Sequence, residues 1–309
     1  LRIKKLKYGS TVLDKIFKDK AREIYFRLKM YQNIGDNEKF AHYSKKVYGM
    51  PTPELLRHAK QLSRLDHHKI IESRQEIPVK TAAMECRKII KKLGFSWKVT
   101  IEDIVANAMV VPAKKKLILR EGLLLSRKEL KRFIAHEIFT HIVRTECGRL
   151  QPYKIFTTGL GGYESTEEGL ALYKEKMFGV LDKHRTLKGY AGRVLAIRLA
   201  LQHSFRKTFG FLSMYYPKEK AWQLAVRVKR GLSDTKLPGA FTKDLLYLQG
   251  FLEVNSFIKN QSSFHLLHYG KIGIHHALLV PLIEGLKDPT DLLEKIKKSS
   301  TKSFNKLFW

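Results

Sequence analysis

The stretch from Ser126 to Gly148 constrains this chain more than any other. Ser126-Arg127-Lys128-Glu129 spells a capping box, in which the serine hydroxyl and the glutamate carboxylate each satisfy a backbone N–H at a helix start. Leu124 and Leu125 stand where they staple that start against the following turn. Leu130, Ile134, Ile138 and Ile142 then recur every four residues, with Phe133 beside them, so one face of this helix must be buried. Gly148 marks its expected end.

On this helix lies His136-Glu137-Ile138-Phe139-Thr140-His141. Two imidazoles flanking a carboxylate are zinc chemistry: the ion takes neutral histidines and often a glutamate, and keeps one position for water. The common helical arrangement separates the histidines by four, with the adjacent glutamate as base. Here they are five apart. On a regular helix that sets them about 140° from each other, too divergent for one ion. A shared ion therefore requires a π-type turn at this point, a distortion frequent at functional sites. The competing expectation is a pair of ordinary packed histidines. A second carboxylate pair follows in Ser165-Thr166-Glu167-Glu168-Gly169, where Glu168 is the expected third ligand and Glu167 a group that orients one. Ser165 to Glu168 also reads as a capping box without metal.

Before this region the chain reads as helices at 12–32, from Thr52-Pro53 to Leu65, and at 79–93. From Trp97 to Glu121 the apolar period shortens towards two. Ala108–Val111 and Leu117–Leu119 flank Pro112-Ala113-Lys114-Lys115, which predicts a strand followed by a hairpin. Beyond Ser126 the chain returns to helix. The expected fold is α+β, mostly helical, with a small sheet just before the histidine helix, residues 1–75 as an N-terminal helical lobe and 76–309 as the catalytic domain.

Charge is the loudest bulk property. Fifty-nine Lys plus Arg against 29 Asp plus Glu give +30. Such a field favours an acidic partner, whether a polypeptide tail, an anionic surface or nucleic acid, the last not favoured. No run approaches the ~20 apolar residues of a membrane helix, and Leu1–Lys7 lacks the apolar stretch of a secretory signal. With only Cys86 and Cys147, a disulfide framework is excluded and a reducing, cytoplasmic setting is expected. Cys147 raises the question of a cysteine nucleophile, though a small buried cysteine is the commoner reading. The adjacent pairs His67-His68 and His275-His276 diverge and make no ligand set alone.

HEIFTHIVRTECGRLQP followed by GLGGYESTEEGLALY resembles the family of the microtubule-associated tyrosine carboxypeptidase and its bacterial relatives. FAHYSKKVYGMPTPELLRHA, NAMVVPAKKKLILRE, VKRGLSDTKLPGAFTKDLLYLQG and HYGKIGIHHALLVPLIEGL extend the resemblance over nearly the whole chain. It implies a gluzincin-like metallopeptidase with one zinc per chain on His136, His141 and Glu168, Glu137 as base, and a peptide or protein C-terminal tail as substrate. Gly161-Gly162-Tyr163 departs from the microtubule-acting members. Candidates for the oxyanion stabiliser are Tyr247 and Tyr163, and for the cation that reads a free carboxylate Arg230, Lys243 and Arg144. The alternatives are a zinc hydrolase of a non-peptide amide and a non-catalytic basic protein that binds nucleic acid.

Overall fold

The computed structural model describes residues 6–65, 76–261 and 264–299. The His67-His68 pair lies outside them. The chain divides into two compact units, each built from two separate stretches: Leu1–His68 with Asp182–Leu252, and Lys69–Leu181 with Glu253–Trp309, in each case for the described residues.

In the first unit, α1 (Val12–Gln32) starts at a capping box between Thr11 and Asp14. It leads to α2 (Asn37–Tyr48) and α3 (Pro53–Ser63), whose first turn is closed by the Thr52 hydroxyl accepting from the Leu55 N–H. These helices do not form a lobe of their own. Met30, Phe40, Tyr48, Leu55 and Ala59 share one core with Ala191, Val194, Ala196, Ile197, Leu224 and Leu248. The reason is amphipathicity: three short helices with one apolar stripe each bury it only against further helices. Small residues at Ala59, Ala191, Ala196 and Ala200, all essentially without exposure, let the backbones approach. Ser44 and Thr242 tie the two stretches together by side-chain and backbone hydrogen bonds of 2.8 and 3.1 Å.

The second unit opens with β1 (Ile77–Pro78) and α4 (Val79–Lys92). Along α4, Val79, Ala82, Ala83, Cys86 and Ile90 are buried, the three-and-four spacing of a single packed face. β2 (Lys98–Glu102), β3 (Ala108–Val111) and β4 (Lys116–Arg120) make a three-stranded sheet in the order β2-β4-β3. β3 and β4 are the expected hairpin, turned by Pro112–Lys114 and by Lys115 in the left-handed region at φ 45°. β2 pairs with β4 in parallel, Val99 opposite Leu117 and Ile101 opposite Leu119. β5 (Leu124–Leu125) pairs antiparallel with β1 and delivers the chain to Ser126. Val99, Leu117 and Leu119 from the sheet, Ala83, Cys86 and Ile90 from α4, and Ile134, Ile138 and Ile142 from the histidine helix fill one core. No helix among the described residues is long and apolar enough to cross a membrane.

Candidate metal centre

The helix that begins at Ser126 runs as α over Arg127–Phe133, as π over Ile134–Ile142, and as α again over Val143–Arg149. The capping box is present in both directions, Ser126 Oγ accepting from Glu129 N at 3.2 Å and Glu129 Oε2 accepting from Ser126 N at 3.0 Å. The widened turn falls on the histidine pair. With i→i+5 hydrogen bonding, residues five apart come to lie one above the other. The rings of His136 and His141 stand 4.9 Å apart. Thr140 Oγ1 donates to the carbonyl of Ala135 at 3.0 Å, a side-chain bond that spans the same five residues. The helix ends at Arg149, and Gly148 is its second-last residue. This glycine is buried, and a Cβ there would sit 2.3 Å from the carbonyl oxygen of Phe156, so the glycine is the space into which the next segment packs.

The facing helix is Tyr163–Met177, which starts at Gly162 in the left-handed conformation, φ 69°. Because it starts two residues before Ser165, no capping box runs from Ser165 to Glu168. Ser165 Oγ instead donates to Glu253 Oε2 at 3.1 Å. Glu168 turns towards the histidines, its Oε2 3.4 Å from His136 Nε2. One ligand atom each from His136, His141 and Glu168 lies within 4.8 Å of the others, the single such group of three among the described residues.

Behind these three groups is a buried network of opposite charges. The Nδ1 atoms of His136 and His141 each lie 2.8 Å from a carboxylate, Glu175 Oε1 and Glu167 Oε1 respectively. A carboxylate only accepts, so each Nδ1 carries the proton of its bond, and Nε2 is the ring atom left over that could ligate a metal. Glu167 is itself held by Lys271 Nζ at 2.7 Å and by Arg144, whose Nη1 bonds Oε2. Burial would raise the Glu167 carboxyl, but Lys271, Arg144 and His141 overcome it and hold it well below the usual carboxylate range. Lys271 is placed by the packing around Gly148: its N–H donates to Phe156 O at 2.8 Å, and its carbonyl accepts from Leu160 N at 2.9 Å. Neither Lys271 nor Glu175 was among the residues expected from sequence. Glu175 follows Glu168 by seven positions, two turns along the same helical face, which is a signal the sequence does carry.

The remaining expected residues fall in several places. Glu137 is half-buried on the π segment beside His136. Tyr163 opens the glutamate helix, packed over Gly159 with Lys271 Nζ 5.8 Å from its ring. Arg144 corrects its expectation as a reader of substrate carboxylate. It is fully buried, and besides Glu167 it donates from Nε to Leu267 O at 3.1 Å and from Nη2 to Ile272 O at 2.7 Å, which commits its guanidinium to the protein. Tyr247, Arg230 and Lys243 belong to the other unit. There Tyr247 stacks on Tyr190 at 4.8 Å under Arg193, Arg230 covers Phe241 at 5.2 Å, and Lys243 Nζ lies 5.9 Å from the Tyr48 ring. Cys147 is no candidate nucleophile: it is buried, and burial pushes its thiol up to about 12.

Two histidines and a glutamate from a second helix, with carboxylates behind both rings, make a donor set that could hold one metal ion. The microtubule-associated tyrosine carboxypeptidase family model matches residues 1–299, and the chain belongs to this family. Among its relatives, microtubule-associated tyrosine carboxypeptidase 1 of Rattus norvegicus is 33% identical over 177 residues, and that of Homo sapiens 32% over the same length. In both comparisons the match covers 54% of this chain and 37% of the relative.

Proposed function

We propose that this protein is a zinc-dependent carboxypeptidase of the gluzincin type, which releases the C-terminal residue, tyrosine in the first instance, from acidic or flexible protein tails. The observation that carries the proposal is the π segment, which brings His136 and His141 together opposite Glu168 while carboxylates hold both Nδ1 atoms. The names of the relatives support the reaction class and the tyrosine preference. The +30 charge favours an acidic tail, and two free, buried cysteines fit a cytoplasmic setting.

The donor set suits zinc in number and in chemistry: two imidazoles and one carboxylate, the three protein ligands that a catalytic zinc site uses. His136 Nε2, His141 Nε2 and Glu168 would hold one ion per chain. When bound, zinc supplies a Lewis acid that lowers the pKa of water to ~7 and polarises the scissile carbonyl. The rest is done by side chains. Glu137 takes the proton of the attacking water on its carboxylate and passes it to the leaving amine. Glu167 and Glu175 keep the imidazoles in one tautomer and orientation. Tyr163, at the start of the Glu168 helix, donates to the developing oxyanion. Among the described residues β3 pairs only with β4, so its other edge can take an extended peptide as an added strand.

Elemental mass spectrometry of the purified protein, together with digestion of a peptide library, tests this proposal. The expected result is about one zinc per chain and loss of single C-terminal residues, with Glu137→Gln retaining the metal and losing hydrolysis. A Glu137→Gln variant that still cleaves would overturn the mechanism. A protein that takes up no zinc on reconstitution would overturn the whole reading.

A further inference from the structure

Arg57 and Lys60 on α3 and Arg64 at its C-cap are exposed and spaced three and four residues apart, so that they stand in one row. Arg198, from the helix Lys188–Ala200, stands across from them. Together with Leu56 and Pro53 these four cations line a concavity of about 640 Å³, into which no carboxylate of the described residues enters. All four are exposed, and among the described residues no ion pair or side-chain hydrogen bond occupies any of their heads. The one acid of α3, Glu54, stands 3.9 Å from His58 instead. Like charges at these helical spacings repel one another and destabilise the free helix. A ligand that neutralises them is the simplest use for such an arrangement.

We propose that this concavity binds a multiply phosphorylated group, carried either by a soluble molecule or by a lipid headgroup. Three of the four cations are arginines, whose planar forks match phosphate oxygens two at a time. Their convergence on one volume suits a ligand with its charge concentrated. An extended acidic peptide spaces its charges at ~3.3 Å per residue and would be met by a long stripe. The apolar wall of Leu56 and Pro53 suits the ring or chain that carries the phosphates.

Titration calorimetry with inorganic tripolyphosphate at about 0.15 M salt tests the site, because only short-range contacts persist there. Wild-type protein is expected to bind. The triple variant Arg57→Gln, Arg64→Gln, Arg198→Gln is expected to bind about tenfold more weakly or worse. A second triple variant, Lys91→Gln, Lys92→Gln, Lys98→Gln, removes the same number of exposed charges elsewhere. It should change the affinity by less than about threefold. If the first triple variant does not melt cooperatively, Arg198→Gln alone carries the same test. Phosphatidylcholine vesicles with or without phosphatidylinositol bisphosphate, against phosphatidylserine at equal charge, separate the sources. Binding to the bisphosphate vesicles that is lost in the first variant assigns a headgroup, and binding confined to tripolyphosphate assigns a soluble ligand. No binding to either, equal losses in the two triple variants, or displacement by polyglutamate of equal charge would overturn the proposal.

Discussion

Replacing Lys271 by methionine probes whether the outer network governs the metal centre. Lys271 Nζ lies 2.7 Å from Glu167 Oε1, with only 7% of its side chain exposed. Methionine preserves length and most of the volume, so the change is chiefly the loss of one charge and one hydrogen bond. Removing one partner of a buried ion pair costs about 3–5 kcal/mol when the other is left alone. Glu167 would keep Arg144 on its other oxygen, so the expected loss of stability is smaller, about 2 kcal/mol. Weakening an outer-shell partner lowers metal affinity by ~10–100-fold. Lys271 acts through Glu167 on His141, one step further out, and the lower end, about tenfold or 1.4 kcal/mol, is expected. Competition with a chromophoric chelator measures the zinc Kd, and urea denaturation of the metal-free protein measures the stability. Zinc affinity unchanged in Lys271→Met, with Glu168→Ala weakened in the same assay, would refute the idea that this network reaches the ion.

Three further outcomes are expected. Gly148→Ala sets a methyl 2.3 Å from Phe156 O, so it should destabilise the fold by about 2–3 kcal/mol and weaken zinc binding through Lys271; a melting curve like wild type would contradict this. Thr140→Val keeps the shape but deletes the bond to Ala135 O, and should cost about 1 kcal/mol in urea titrations, with no loss expected if the π turn is held by backbone alone. Burial pushes the Lys174 amine down to about 7 from an ordinary 10.5, so between those values the unfolded chain binds the extra proton and stability contributed at this site rises with pH. Lys174→Met should therefore stabilise at pH 7, by at most about 4 kcal/mol less the loss of the Lys174–Phe264 contact, with the gain shrinking towards pH 10. A gain independent of pH would exclude titration as its cause.

What could be read beforehand was local. The Ser126 capping box, the helix from Val12 to Gln32 and the β3–β4 hairpin are written in neighbouring residues, so caps, periodicity and turn chemistry reveal them. The π turn was legible as a contradiction, since two histidines five apart cannot share an ion on a regular helix. What escaped depends on long-range packing. The parallel partner of β2 is β4 and not the adjacent β3, which no turn residue announces. Lys271 is one of 59 basic residues, and only the contact of Gly148 with Phe156 brings it to Glu167. Arg144, three residues after His141, shares a face with that histidine. Helical spacing could equally have turned it to a substrate, and burial decided otherwise.

The interleaving of the two units has a consequence for how the protein is made. The chain passes from one unit to the other three times, so neither is complete until its second stretch has been synthesised. His136, His141, Glu167, Glu168 and Glu175 all emerge on one continuous stretch, yet the lysine that neutralises Glu167 follows it by 104 residues. Until that lysine arrives, a nascent chain carries an acidic cluster with only Arg144 and His141 to balance Glu167. A fragment beginning at residue 76 would likewise leave Ala191, Val194 and Leu224 without Met30, Phe40 and Leu55 to cover them. Assembly of the centre thus waits for the stretch that begins at Glu253 and brings Lys271.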